Sequence, residues 1–307
     1  MIYTITANPS IDYVLQVDTL ATGKVNRTTT DVKLPGGKGI NVSRILNELQ
    51  LDSTALGFVG GATGSMFENL LKQHNLKTSF TKVTNDTRIN VKINATKQNE
   101  ETEINGTGPE ISAEEKQSFL NQLKSVGNGD VVIMAGSLPQ QVETTFYLDI
   151  AKVIKDQGAD FVIDTTGQAL LDTLPLNPLV VKPNNHELAD LFNVTFNSEQ
   201  DIVDNARKLL DQGAKHALVS MAGDGALLVT KDHVYKANAP KGQVINSVGA
   251  GDSMIAGFVG TFMKTKDPIE SFHEGAACGS ATAFSQDIAV KNKIDDVYKN
   301  ISISQLS

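Results

Sequence analysis

The chain has 307 residues with 40% hydrophobic and 20% charged side chains, which excludes disordered and fibrous classes and leaves either two domains or one large α/β domain. A formal charge of −8, with only four arginines among 27 basic residues, argues against a nucleic-acid surface, which needs clustered cations. No run reaches the roughly 18 apolar residues of a membrane span, no basic, apolar leader opens the sequence, and Cys278 has no partner for an intrachain disulfide, so a cytoplasmic protein with one buried thiol is expected.

In chain order, MIYTITANPS alternates like a strand, and IDYVLQVD (11–18) continues with period two. Glycines in LPGGKGINVSRIL (34–46) precede a helix over NVSRILNELQL, and GSMFENLLKQHNL predicts another. The glycine turn is neither a Walker loop, GxxxxGK[ST], nor a GxGxxG after a strand. RINVKINATKQNEETEI (88–104) again alternates apolar and polar residues. Such segments have one wet and one dry face, unlike buried parallel strands, so the two pieces (11–34 and 87–107) are expected to form a small separate sheet. It could be a lid over a cleft or a pairing surface.

From 112 onward helices and strands alternate. A capping box from Ser112 to Glu115 opens SAEEKQSFLNQLKSV, DVVIMAG (130–136) is a continuous apolar strand, and a helix is expected near 142–157. DFVID, LVVKPN, a helix over 198–213 and HALVSMAG follow. This order predicts a mostly parallel central sheet covered on both faces by helices. Ligands of such sheets bind beyond the carboxyl ends of the strands, where Gly136, Ser137, Asp164, Lys182, Asn184 and Ser220 fall.

NSVGAGDSM (246–254) then opens a helix that reads as buried. The small residues Gly249, Ala250 and Gly251 let backbone amides converge, and the helix adds its positive end, which together make an anion pocket. Asp252 would repel a resting phosphate there, yet it is well placed to accept the proton of an incoming hydroxyl in phosphoryl transfer. With carboxylate pKa about 3.9 and water about 15.7 as a stand-in for the alcohol, prior deprotonation would cost roughly 16 kcal/mol, so the proton must move late. His74, His186, His216, His233 and His273 show no HExxH or paired metal spacing, and no tight zinc site is expected.

PGGKGIN, GSLP (136–139), KPNNHE (182–187) and GAGD (249–252), in this order over the whole chain, resemble the ribokinase-like sugar kinases of the phosphofructokinase B group. The resemblance implies one ribokinase-like domain over 1–307 with a β-sheet lid that often mediates homodimers, and transfer of a phosphoryl group from ATP with Mg2+. It implies Asp252 as general base with the anion hole at Gly249, Ala250 and Gly251. Asp12, Gly36, Gly37 and Asn41 would bind sugar hydroxyls, with Ser137 also on the substrate side. Arg27 and Arg88 would hold the phosphate already on the sugar, helped by Lys24 and Lys92, while Lys38 could hold either phosphate. Lys182, Asn184 and the loop Ser220 to Gly225, with Gly223 and Asp224, would meet the nucleotide, and Asn184 and Glu187 would organise Mg2+ through water. TRINVK inclines the expectation towards phosphorylation of fructose 1-phosphate to the 1,6-bisphosphate, with tagatose 6-phosphate as the rival substrate. A non-catalytic sugar-phosphate or nucleotide sensor would be expected to have a damaged GAGD or KPNxxE, and both are intact. Met221 and Ala222 stand where many relatives carry leucine and glycine.

Overall fold

The computed structural model describes residues 1–306. Its main sheet has 11 strands, in the order Ile303–Gln305, Val234–Ala237, Ala226–Val229, Ala217–Ser220, Val180–Val181, Asp160–Asp164, Val131–Ala135, Ile2–Thr6, Ser53–Gly60 and Lys77–Thr78, with Thr81–Val83 also pairing on Ser53–Gly60. From Ala217–Ser220 through to Lys77–Thr78 every pairing is parallel, whereas the three strands at the other edge are antiparallel. The parallel strands are apolar because both faces are covered: every residue of Val131–Ala135 is fully buried. On one face Phe58, Phe119, Phe146 and Tyr147 pack together, and on the other Val42, Leu46, Phe258 and Phe272 do so.

Local sequence sets the helix limits. Ser112 and Glu115 form the expected capping box on Ala113–Leu123, and Ser198 with Asp201 caps Glu199–Asp211 in the same way. The helix expected from about 142 begins only at Phe146, because the preceding Pro139–Val142 segment closes a turn through the Val142 amide and Pro139 carbonyl at 2.9 Å.

A separate 4-stranded sheet, in the order Thr30–Gly36, Ser10–Val17, Arg88–Ala95 and Glu100–Ile104, stands beside the main one. The alternating stretch 88–104 is therefore two strands, folded back at a turn whose Asn99 has φ 52, a left-handed conformation that asparagine tolerates. Asp12 lies opposite Asn90, and Lys92 opposite Glu103. These side chains share one face of the sheet, because register partners point to the same side. Cys278 is fully buried in the helix Pro268–Ala283, and no helix among the described residues is long and apolar enough to cross a membrane.

Candidate active site

The carboxyl ends of the parallel strands open into a cavity of about 1390 Å³, bounded by both sheets and by the helix after the GAGD turn. Ser10, Asp12, Gly37, Lys38, Asn41, Arg88, Ser137, Asp164, Lys182, Asn184, Glu187, residues Ser220 to Gly225, and Gly249 to Asp252 all line it. Nearly every candidate residue named from the sequence therefore meets in one space. Lys24, Arg27, Gly36 and Lys92 do not line it: Lys24 and Arg27 lie exposed in the segment between Ser10–Val17 and Thr30–Gly36, while Gly36 and Lys92 sit within strands of the small sheet.

At the phosphoryl end, Gly249 caps the buried helix Ala250–Thr265 with φ 79. The first amides of a helix have no internal partner, which leaves those of Gly251 and Asp252 at its mouth. The expected set of three is not fully available, since the Ala250 amide donates to the Ser247 carbonyl at 3.2 Å. Lys182 leans on the helix mouth: a Cβ at Gly251 would lie 2.7 Å from its Nζ, so a side chain there would push the lysine aside.

Asp252 is 4% exposed, and its Oδ2 accepts a 2.9 Å hydrogen bond from Asn41 Nδ2. Burial first and the charge of Asp164 second push its pKa up to about 6, against the pull of Lys38, Asn41 and Lys182. Asp164, buried at the end of its strand, pairs with Lys38 at 3.0 Å and Lys182 at 3.6 Å. Burial alone would raise the Asp164 pKa, but the two lysines overcome it and hold the group below the ordinary carboxylate value. Lys38 is in turn held firmly cationic: Asp164 and Asp252 outweigh the cost of its burial. Two cations and a buried base thus converge on the helix mouth.

At the sugar end, Asp12 Oδ1 accepts from Ser10 Oγ at 2.7 Å and from Asn90 Nδ2 at 3.0 Å. Gly36 makes room for this arrangement, because a Cβ at 36 would fall 2.5 Å from both Asp12 Oδ1 and Ser10 Oγ. Arg88 is no freely solvated strand charge. Its Nε and Nη2 donate to the Asn8 carbonyl at 3.2 and 2.9 Å, and its Nη1 donates to the Gly106 carbonyl at 3.1 Å. A guanidinium has five N–H donors, so two remain for an anion in the cavity.

Asn184 and Glu187, expected to organise a metal, hold each other. The Asn184 side chain accepts from the Glu187 amide and Glu187 Oε2 accepts from the Asn184 amide, both at 2.8 Å, as a capping box on the helix Asn185–Phe192. Glu187 Oε1 is not used in that box. Glu187 lines the cavity, and one hard carboxylate oxygen left free would suit Mg2+, which keeps several waters and takes most of its other ligands from substrate phosphates. No cluster of three or more His, Cys, Asp or Glu residues able to hold an ion by itself occurs among the described residues.

In the nucleotide loop, Ser220 ends its strand, Ala222–Asp224 form a 3-10 turn, and Ala222 has φ 50. That positive φ accounts for the glycine expected in relatives at this position. His186 is exposed. The sequence reading assigned no role to Asp164, Asn90 or Ser10, nor to the apolar wall of Val244, Ala276, Ala283 and Phe284 beside the loop. Asp164 was named only as a strand-end residue of the cleft, and Asn90 could have been found by its place in the alternation, two residues before Lys92. The wall carries no local signal, because Ala276 and Ala283 on their helix look like ordinary packing, and Val244 and Phe284 join them from outside it.

Residues 4–293 match the pfkB family carbohydrate kinase description. The chain is 46% identical over 306 residues to the 1-phosphofructokinase of Bacillus subtilis, covering 100% of both chains. It is 38% identical to the D-tagatose-1-phosphate kinase of Bacillus licheniformis, again over 100% of both. Among solved structures, phosphofructokinase-2 of Escherichia coli in complex with fructose-6-phosphate is similar with a TM-score of 0.91 at 28% identity, over 97% of this chain and 98% of that one.

Proposed function

This chain belongs to the pfkB family of carbohydrate kinases, and from that premise we propose that it transfers the γ-phosphoryl group of ATP to the free primary hydroxyl of fructose 1-phosphate. The observation that carries the reading is the buried Asp252, fixed by Asn41 at the mouth of a helix and faced by the Lys38–Asp164–Lys182 cluster.

In this reading the sugar hydroxyls meet Asp12 and Asn41, and Arg88 gives its two spare donors to the sugar phosphate, joined by Lys24 and Arg27 when the small sheet closes as a lid. The acceptor hydroxyl points at Asp252. The amides of Gly251 and Asp252, with Lys38 and Lys182, stabilise charge on the transferring group. With its pKa raised to about 6, Asp252 still lies so far below an alcohol that prior deprotonation would cost roughly 13 kcal/mol. The carboxylate therefore orients the oxygen and takes the proton late, as the bond to phosphorus forms. Glu187, with Asn184, would hold Mg2+ through water, and the ion supplies neutralising charge on the ATP phosphates when bound. Ser220, Gly223, Asp224 and Gly225 would line the nucleotide, with its base against Val244 and Ala283. The lone buried cysteine supports a cytoplasmic setting, and the half-exposed apolar residues Ile89 and Ile104 of the small sheet support a homodimer through it.

A second reading keeps the chemistry and changes the sugar to tagatose 1-phosphate, favoured by the full-length relative of that name. The two ketoses differ in configuration at one carbon and carry phosphate at the same end. ADP release with fructose 1-phosphate, tagatose 1-phosphate, tagatose 6-phosphate and fructose 6-phosphate tests both readings. Fructose 1-phosphate is expected to give the highest kcat/KM, and a higher value with any other sugar overturns the leading assignment.

A further inference from the structure

The small sheet carries a row of charge that the transfer chemistry does not use. Lys92 Nζ lies 3.6 Å from Asp12 Oδ2 and 3.1 Å from Glu103 Oε1, and its side chain is 14% exposed although it stands on a sheet covered on few sides. The register explains the row: Lys92 is directly opposite Glu103 on one neighbouring strand and two residues beyond the partner of Asp12 on the other. Asp12 lines the cavity, whereas Lys92 and Glu103 do not. Asp12 Oδ1 is saturated by Ser10 and Asn90, so Oδ2 is its remaining oxygen, and Lys92 is the cation nearest to it.

A fixed carboxylate beside the seat of a sugar phosphate is a like-charge conflict. Unless offset, Asp12 would repel the dianion that the cavity has to admit. We propose that Lys92 is a positioning and specificity residue that, pinned between Asp12 and Glu103, steadies Asp12 for sugar hydroxyls and offsets its charge so that a phosphorylated ketose is accepted. This rests on the sugar-phosphate reading given above. Lys92 acts through Asp12 and touches neither the reacting atoms nor ATP. Asp12 and Glu103 keep it cationic despite its burial. Glu103 draws part of its charge away from the cavity.

The experiment compares Lys92→Met, Lys92→Arg and Glu103→Gln with the wild type in steady-state assays, using whichever ketohexose phosphate the wild type turns over best. Methionine keeps the aliphatic stem and removes the charge. Lys92→Met is expected to raise KM for the sugar phosphate about tenfold while kcat and KM for ATP stay within about twofold, and Lys92→Arg to restore most of the affinity. Glu103→Gln, which leaves Lys92 wholly to Asp12, is expected to lower the sugar-phosphate KM by about twofold. An unchanged KM in Lys92→Met, an equal loss in kcat and both KM values, or a rise in KM in Glu103→Gln would each overturn the proposal; the last two would mark the row as scaffolding of the sheet. A wild type inactive on every ketohexose phosphate would instead remove the substrate reading, and this inference with it. Failure of Lys92 alone shows as a normal wild type with unaltered variants.

Discussion

The two ends of the cavity are built differently. At the proposed phosphoryl end, the buried Asp252, Asp164 and Lys182 and the partly exposed Lys38 come from four separate segments of the main body and are joined by contacts of 2.9 to 3.6 Å. At the proposed sugar end, Asp12 and Arg88 belong to a thin sheet with both edges open, and Lys24 and Arg27 stand exposed away from the cavity. In the proposed reaction, charge develops in the buried half, and the sugar is met by the more exposed sheet. A buried site is most sensitive to the loss of a charge, and an exposed one to the loss of a binding contact.

The sharpest way to break this comparison is Asp252→Asn, which keeps the shape and removes the proton acceptor. Turnover should fall by about 10²–10⁴-fold with either KM changed less than about threefold, and near-normal turnover in single-turnover assays would refute the role of base. Next comes Asp164→Asn, expected to lower kcat by about 10–10²-fold because both lysines lose their tether. Its pH profile is more telling than its rate. Wild-type kcat/KM should fall as the pH drops through about 6, since Asp252 must be ionised to accept a proton. Removing the like charge of Asp164 eases that ionisation, so the acid limb should move to lower pH, and an unmoved limb would mean the two carboxylates act independently.

Smaller effects are expected on the more exposed side. Arg27→Gln and Arg88→Gln should each raise the sugar-phosphate KM by about tenfold without altering that of ATP. They should differ in thermal melting: Arg88→Gln loses three bonds to backbone carbonyls and should melt lower, whereas Arg27→Gln, at an exposed position, should leave the Tm unmoved. The smallest effect concerns the buried side again. A carboxylate whose folded pKa lies above its unfolded value weakens the fold above pH 6, and that penalty disappears as the pH falls through 6 towards 4. Asp252→Asn should therefore melt about 2–5 °C higher than the wild type at pH 8, with the gain shrinking below pH 6.

What was legible in the sequence follows the same division. Apolar runs such as VVIMA and capping residues such as Ser112 and Ser198 announce themselves locally, so the parallel sheet and its helices could be placed from their patterns. The antiparallel edge, Ala226–Val229 with Val234–Ala237 and Ile303–Gln305, was not anticipated, because short strands joined by turns have too little period to read. Asp252 stood out because a carboxylate at an anion-binding turn is a local contradiction. Asp164 was legible only as a strand-end residue, since its pairing with Lys38, distant in sequence, arises in space. Arg88 was read as a phosphate ligand, and its three carbonyl contacts depend on Asn8 and Gly106 arriving from elsewhere.

The reciprocal clasp between Asn184 and Glu187 ties folding to chemistry through one pair of side chains. Glu187→Ala would both fray the start of a helix and strip a carboxylate from the nucleotide side, so its activity loss has two sources. Glu187→Gln keeps an acceptor for the Asn184 amide and discards only the charge. The helix beginning and the oxygen proposed to face the metal thus share one pair of side chains, and under that proposal a substitution here is tolerated only if it serves both.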